Sequence, residues 1–125
     1  MAFREVAAVR LNEKKSKFYA HLYEIDTVDD VLGVRKIHDQ LYKKAAHHCY
    51  AMVYGTITAS CSDGEVGSPG RVLAGVLARN HLDAHMLIVS RIFGGVKLGP
   101  ARVARAFRDA GVGAVEVYQK EQKVL

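Results

Sequence analysis

Residues 86–100 read MLIVSRIFGGVKLGP. Met86 to Val89 is an unbroken apolar run, as expected of a central strand covered on both faces. After Ser90 and Arg91 the apolar pattern ends at Phe93. Gly94, Gly95 and Gly99 follow, with Lys97 among them, and then comes Pro100, a residue that favours the first turn of a helix. A strand, a glycine-rich turn and a helix start together present free backbone N–H groups. The helix dipole adds partial positive charge, so such junctions attract anions. Lys97 adds a full charge. The stretch lacks the glycine-lysine-serine or threonine run of a P-loop and the dinucleotide fingerprint, so nucleotide hydrolysis is not expected. The alternative is a plain tight turn with Gly94 or Gly95 at positive φ.

Outward from this stretch, the pattern resolves into strands and helices. Residues 3–11 and 16–25 are rich in β-formers around the polar break Asn12-Glu13-Lys14-Lys15, which predicts a hairpin. Thr27 is placed as an N-cap, with Asp29 and Asp30 in the first turn and Lys43 and Lys44 at the far end. Val31, Val34, Ile37 and Leu41 form the apolar stripe of a helix over about 28–44. His47 to Thr58 reads as strand broken near Gly55; a hairpin loop at Tyr54-Gly55-Thr56 sets Cys49 opposite Cys61. SCSDGEVGSPG, residues 60–70, is turn-forming and expected to be an exposed loop. Ser68-Pro69 opens a helix over about 69–80 with Val72, Leu73, Val76 and Leu77 inward. After the glycine loop a helix runs to about 110 with Val103, Ala104, Phe107 and Ala110 inward, and Val115 and Val117 alternate in a last strand. The expected class is α+β, with helices against a mixed sheet.

The totals set limits. A length of 125 residues fits one domain of residues 1–125. Composition is 50% hydrophobic and 25% charged, which suits a globular chain. No apolar stretch reaches membrane-span length. Arg4 and Glu5 stand where a signal peptide would have its apolar core, so a cytoplasmic location is expected and no membrane partner. Two cysteines make no disulfide framework. The net charge of +5 and pI near 9.3 favour an anionic partner.

Three groups of residues could carry chemistry. Arg91, Lys97, Arg102, Arg105 and Arg108 cluster around the glycine loop and the helix after it; the bland alternative is a solvated face with an Arg105–Asp109 ion pair. Asp63 and Glu65 could hold a metal or act as acid and base, or could simply belong to a polar turn. His47, Cys49 and Cys61 offer zinc-type donors or a cysteine-histidine nucleophile pair. However, adjacent His47 and His48 point to opposite faces of a strand, and a strand cysteine is commonly a small buried hydrophobe. No metal and no cofactor is expected.

Four segments resemble the IMPACT family, which includes the bacterial YigZ-type proteins. They are Lys15-Ser16-Lys17-Phe18, Ala46-His47-His48-Cys49-Tyr50-Ala51, Ser62-Asp63-Gly64-Glu65, and Arg91 to Gly99 (RIFGGVKLG). The resemblance spans roughly 14–118. It implies a four-stranded sheet with helices on one side, similar to the second domain of a small-subunit ribosomal protein and to domain IV of elongation factor G. It also implies that His47, Cys49, Asp63, Glu65, Arg91, Lys97 and Arg105 line one surface. Eukaryotic members restrain a starvation-responsive kinase that controls translation initiation; for bacterial members, RNA or ribosome contact is inferred from the fold. This chain differs in a shorter acidic loop, in Ala101 and Arg102 after Gly99, and in an expected lack of a second C-terminal domain.

The preferred expectation is a non-enzymatic, translation-associated protein. It would contact RNA or the ribosome through Arg91, Gly94, Gly95, Lys97, Gly99, Arg102, Arg105 and Arg108. The alternatives are a protein-interaction regulator of translation control, with a protein partner on an exposed apolar patch, and a hydrolase of phosphorylated or nucleotide substrates using His47, Asp63 and Glu65.

Overall fold

The computed structural model describes residues 2–124. Strands β1 (Phe3–Glu13) and β2 (Ser16–Ile25) form the expected hairpin. The connection is tighter than the polar break suggests, because Asn12 pairs with Lys17 and Glu13 with Ser16. Lys14 and Lys15 alone make the turn, at φ 48° and 71°. Positive φ at both central residues matches the turn to the twist of the strands.

Helix α1 (Asp30–Leu41) follows, then β3 (His47–Tyr54), β4 (Ile57–Cys61), α2 (Pro69–Arg79), β5 (His85–Ile92) and α3 (Pro100–Val124). The sheet has five strands in the order β1-β2-β5-β3-β4, and every neighbouring pair is antiparallel. The fold is α+β, as expected. β5 is central, and each residue from His85 to Arg91 is buried.

Alternation along the strands divides the interior in two. On one face Phe18, Ala20, Leu22, Cys49, Ala51, Leu87 and Val89 pack against Leu73, Val76 and Leu77 of α2 and Val103, Phe107 and Val115 of α3. On the other, Tyr23, Met52, Met86 and Ile88 pack against Val31 and Val34 of α1. Helices therefore cover both faces of an antiparallel sheet, rather than one face of a mixed, four-stranded one. The fifth strand is β1, which has its own hairpin ladder and a cover from α3.

Three local expectations change. Val115 and Val117 form no strand, because α3 continues through them. Val103, Ala106, Phe107, Ala110, Ala114 and Val115 make a continuous buried stripe at helical spacing. Gly111 does not break this helix: a Cβ there would lie 3.0 Å from the side chains of Leu73 and Leu87, so the glycine allows close approach. In α1 the sheet-facing residues are Val31, Val34 and His38, while Ile37 and Leu41 are exposed. The N-cap position falls at Asp29 rather than Thr27, and the Asp30 carboxylate accepts from the Asp26 and Thr27 N–H groups. Finally, Tyr54 pairs with Ile57, which puts Cys61 opposite Tyr50 rather than Cys49. One residue of register sends the two cysteines to opposite faces.

Candidate functional site

The glycine loop is built against the first hairpin. The Gly94 N–H donates to Ser16 Oγ at 3.2 Å, and a Cβ on Gly94 would lie 2.1 Å from the Lys15 carbonyl carbon. What approaches the backbone at Gly94 is therefore the chain itself. Gly95 and Gly99 take φ of 89° and 80°, where a side chain is strained. The Val103 N–H donates to the Gly99 carbonyl and starts α3. Lys97 is exposed at the crest of the loop.

The acidic loop docks on the same region. A Cβ on Gly67 would sit 2.5 Å from the Pro100 carbonyl oxygen, so the loop after β4 lies on the start of α3. Contrary to the expected exposed loop, the Glu65 side chain is only 3% exposed. It accepts from Arg91 Nη1 at 3.0 Å. Arg91 is 7% exposed and lies over the rings of Phe18 and Phe93. A buried, paired guanidinium is not presented to an external phosphate.

Asp63 is similarly engaged. Its carboxylate accepts from the His48 N–H at 2.7 Å and faces Arg35 at 3.4 Å, and its carbonyl accepts from His47 Nδ1–H at 2.8 Å. His47 Nε2 lies 3.6 Å from Glu65. The Cys49 thiol is buried beside the Ser62 carbonyl, and burial with the nearby carboxylates pushes its pKa up, away from nucleophilic thiolate. Thus His47, Cys49, Asp63, Glu65 and Arg91 do come together, but as a hydrogen-bonded clasp around the acidic loop. Among the described residues, no group of three or more His, Cys, Asp and Glu side chains is placed to hold a metal ion.

The exposed charges lie around this clasp. Arg102, Arg105 and Arg108 are exposed on α3. Asp109 pairs with Arg108, not with Arg105. The contact of Gly94 with Lys15 brings the β1–β2 turn beside the loop, and with it exposed Lys14, Lys15 and Lys17. Lys17 pairs in the sheet with Ile92, and the Ala46 N–H bonds to the Arg91 carbonyl, so Lys43 and Lys44 at the end of α1 reach the same pole. No lysine among the described residues takes part in an ion pair. The sequence pattern missed this convergence because it is set by strand register.

A second feature also escaped the sequence pattern. On the α1 face, buried His38 contacts Tyr23 Oη and Ser90 Oγ, each at 3.1 Å, and His48 Nδ1 contacts the same Ser90 Oγ at 2.7 Å. His48 Nε2 faces the Asp39 carboxylate at 3.5 Å. Nearby, His21 bridges Glu5 and Tyr42 Oη. Burial, with His21 and His48 close by, pushes His38 down to about 3, and burial also lowers His48. Tyr42 is pushed up to about 12, chiefly by burial. The available signal was His38 at i+4 from Val34.

A family model described as the Impact N-terminal domain matches residues 14–115. The chain belongs to the IMPACT family. An IMPACT family member from Haemophilus influenzae is 30% identical over 117 residues, covering 89% of this chain and 57% of that protein. The chain spans about half the length of the curated relatives it matches. A solved structure of a hypothetical protein superposes with a TM-score of 0.84 at 24% identity, over 93% of this chain and 61% of that one. That of the two-domain translational regulator Yih1 gives 0.53 at 18% identity, over 93% and 46%. All of the clasp and the glycine loop lie inside the IMPACT-family match.

Proposed function

We propose that this IMPACT-family chain is a translation-associated module whose basic pole contacts RNA, free or in the ribosome, without catalysing a reaction on it. The observation that carries the reading is the convergence of Lys14, Lys15, Lys17, Lys43, Lys44, Lys97 and Arg102 at one end of the sheet, all exposed. Asp26, Asp29 and Asp83 lie at the opposite end, where Ile25 bonds to Ala84. Contact would be to phosphates, with little sequence preference. The structural likeness to Yih1, a translational regulator, supports the setting. The expected contacts therefore shift: Lys97 and Arg102 stay, Gly94, Gly95 and Gly99 shape the loop, Arg105 and Arg108 extend the face, and Arg91 serves the clasp.

The test is binding of the purified chain to duplex and unstructured RNA across a salt series, beside Lys97→Ala and Arg102→Ala. Weaker binding and a shallower dependence on log salt in both variants support the reading. Absence of wild-type binding at low salt overturns it. A second reading has its own observation. Val66, Phe93 and Val96 are 49%, 50% and 42% exposed around Lys97, which suits a protein partner. A Phe93→Ser variant that keeps RNA binding but loses a translation-factor partner would favour it. The hydrolase reading has no comparable support, since Asp63 and Glu65 are spent on the clasp.

A further inference from the structure

The basic pole has a groove on its α1 side. Tyr19 of β2 and Tyr42, just beyond α1, stack with ring centroids 4.4 Å apart and planes within 22°. With Leu41 and Ile92 they form the apolar wall of an open surface groove of about 560 Å³. Lys43 and Lys44 form its rim, and Gln40 places an amide there. Leu41 is 57% exposed at the end of α1, beside the two tyrosines and away from Val31 and Val34, which are buried in the core. Neither lysine has a carboxylate partner among the described residues. Aromatic and aliphatic walls below a cationic rim suit a group that is flat, apolar on its faces and joined to phosphates.

We propose that this groove takes an unstacked base of single-stranded RNA, with the flanking phosphates on Lys43 and Lys44. The inference rests on the reading of the basic pole as an RNA contact and adds what that reading lacks: a reason to prefer single strands. Duplex RNA keeps its bases stacked and meets only the lysines, whereas a single strand can also insert a base against the tyrosine and leucine wall. Gln40 can hydrogen-bond the base edge, and the site stays tolerant of sequence because every base has a flat face.

The experiment compares a labelled unstructured RNA oligonucleotide with a blunt RNA duplex. The proteins are the wild-type chain, Tyr19→Leu, Tyr19→Phe, Leu41→Ser and Lys97→Ala, each checked for native fold by circular dichroism. Tyr19→Leu should weaken single-strand binding on the order of tenfold and leave duplex binding within about twofold, as expected for loss of one stacking contact. Tyr19→Phe keeps the ring and should bind as wild type. Leu41→Ser starts from an exposed side chain and changes no charge, so it tests the groove even where Tyr19→Leu fails to fold; it too should lose single-strand affinity selectively. Equal effects on both RNAs, or none, overturn the groove. If Lys97→Ala weakens both RNAs while Tyr19→Leu and Leu41→Ser change neither, the groove fails and the basic pole stands. If only the groove variants matter, the glycine-loop contact fails instead. No binding of either RNA by the wild type overturns both.

Discussion

Arg91 and Glu65 are opposite charges from two of the family-like segments, and the fold uses them on each other. Their side chains are 7% and 3% exposed. Removing one partner of such a pair leaves a buried charge uncompensated, at a cost of about 3–5 kcal/mol. Glu65→Ala should show that loss in urea denaturation, and Arg91→Met paired with Glu65→Leu should recover a large part of it. Gly94 is under a steric limit of the same severity, since an added Cβ meets the Lys15 backbone at 2.1 Å. Gly94→Ala should cost about 1–3 kcal/mol and loosen the loop from the hairpin. His38 carries a pH dependence. Its folded pKa is lowered from 6.5 to about 3, so below pH 6.5 the unfolded chain binds the proton more readily. Stability is then full above pH 6.5 and falls on acidification through the window down to about 3. The slope is up to about 1.4 kcal/mol per pH unit for one such group. His48 is lowered too and adds to the same limb. Thermal melts of His38→Gln across this range should be flatter than wild type; an unchanged acid limb would show that other groups set it.

α3 shows how an element can hide behind short-range pattern. Val115-Glu116-Val117-Tyr118 alternates like a strand, and Gly111 and Gly113 precede it like a turn. Val115 continues the stripe Val103, Phe107, Ala110, Ala114, and burial of that stripe outweighs the glycine cost of about 1 kcal/mol each. Gly113 has only an ordinary contact, 3.4 Å from a Val9 methyl to an added Cβ. Gly113→Ala should therefore raise stability by about 0.5–1 kcal/mol in the same denaturation assay, through helix propensity alone. A loss would mean that Val9 does not yield. The β3–β4 hairpin teaches a related lesson: the turn near Gly55 was readable, but its length was not, and one residue decided which face each cysteine took.

For the whole molecule the distribution of charge matters more than the net +5. Strand pairing carries the cations of three separate segments, the first hairpin, the end of α1 and the glycine loop, to one pole. If this pole neutralises phosphates, the double variant Lys14→Ala/Lys15→Ala should reduce the slope of log affinity against log salt on duplex by about 1.8. Asp26→Asn and Asp29→Asn, at the far pole, should leave it unchanged. An equal response at both poles would mean that binding follows net charge and not this surface.

Much was determined by the amino-acid order itself. The central apolar strand, the first hairpin, the helix after Ser68-Pro69, the helix start at Pro100, the α+β class and the family all follow from local pattern and from four short segments. These depend on residues within a turn or two of one another, where hydrophobic period and turn chemistry act. Tertiary structure alone decided that Arg91 is buried on Glu65, that the acidic loop is a clasp, and that the Lys14-Lys15 turn lies against the loop that carries Lys97. It also decided that His38, His48 and Ser90 meet, and that α1 covers the face opposite α2 and α3. Each of these joins residues far apart in the chain through strand register and close packing, and a register fixed by burial of two whole faces is a property of the assembled sheet, not of any one stretch.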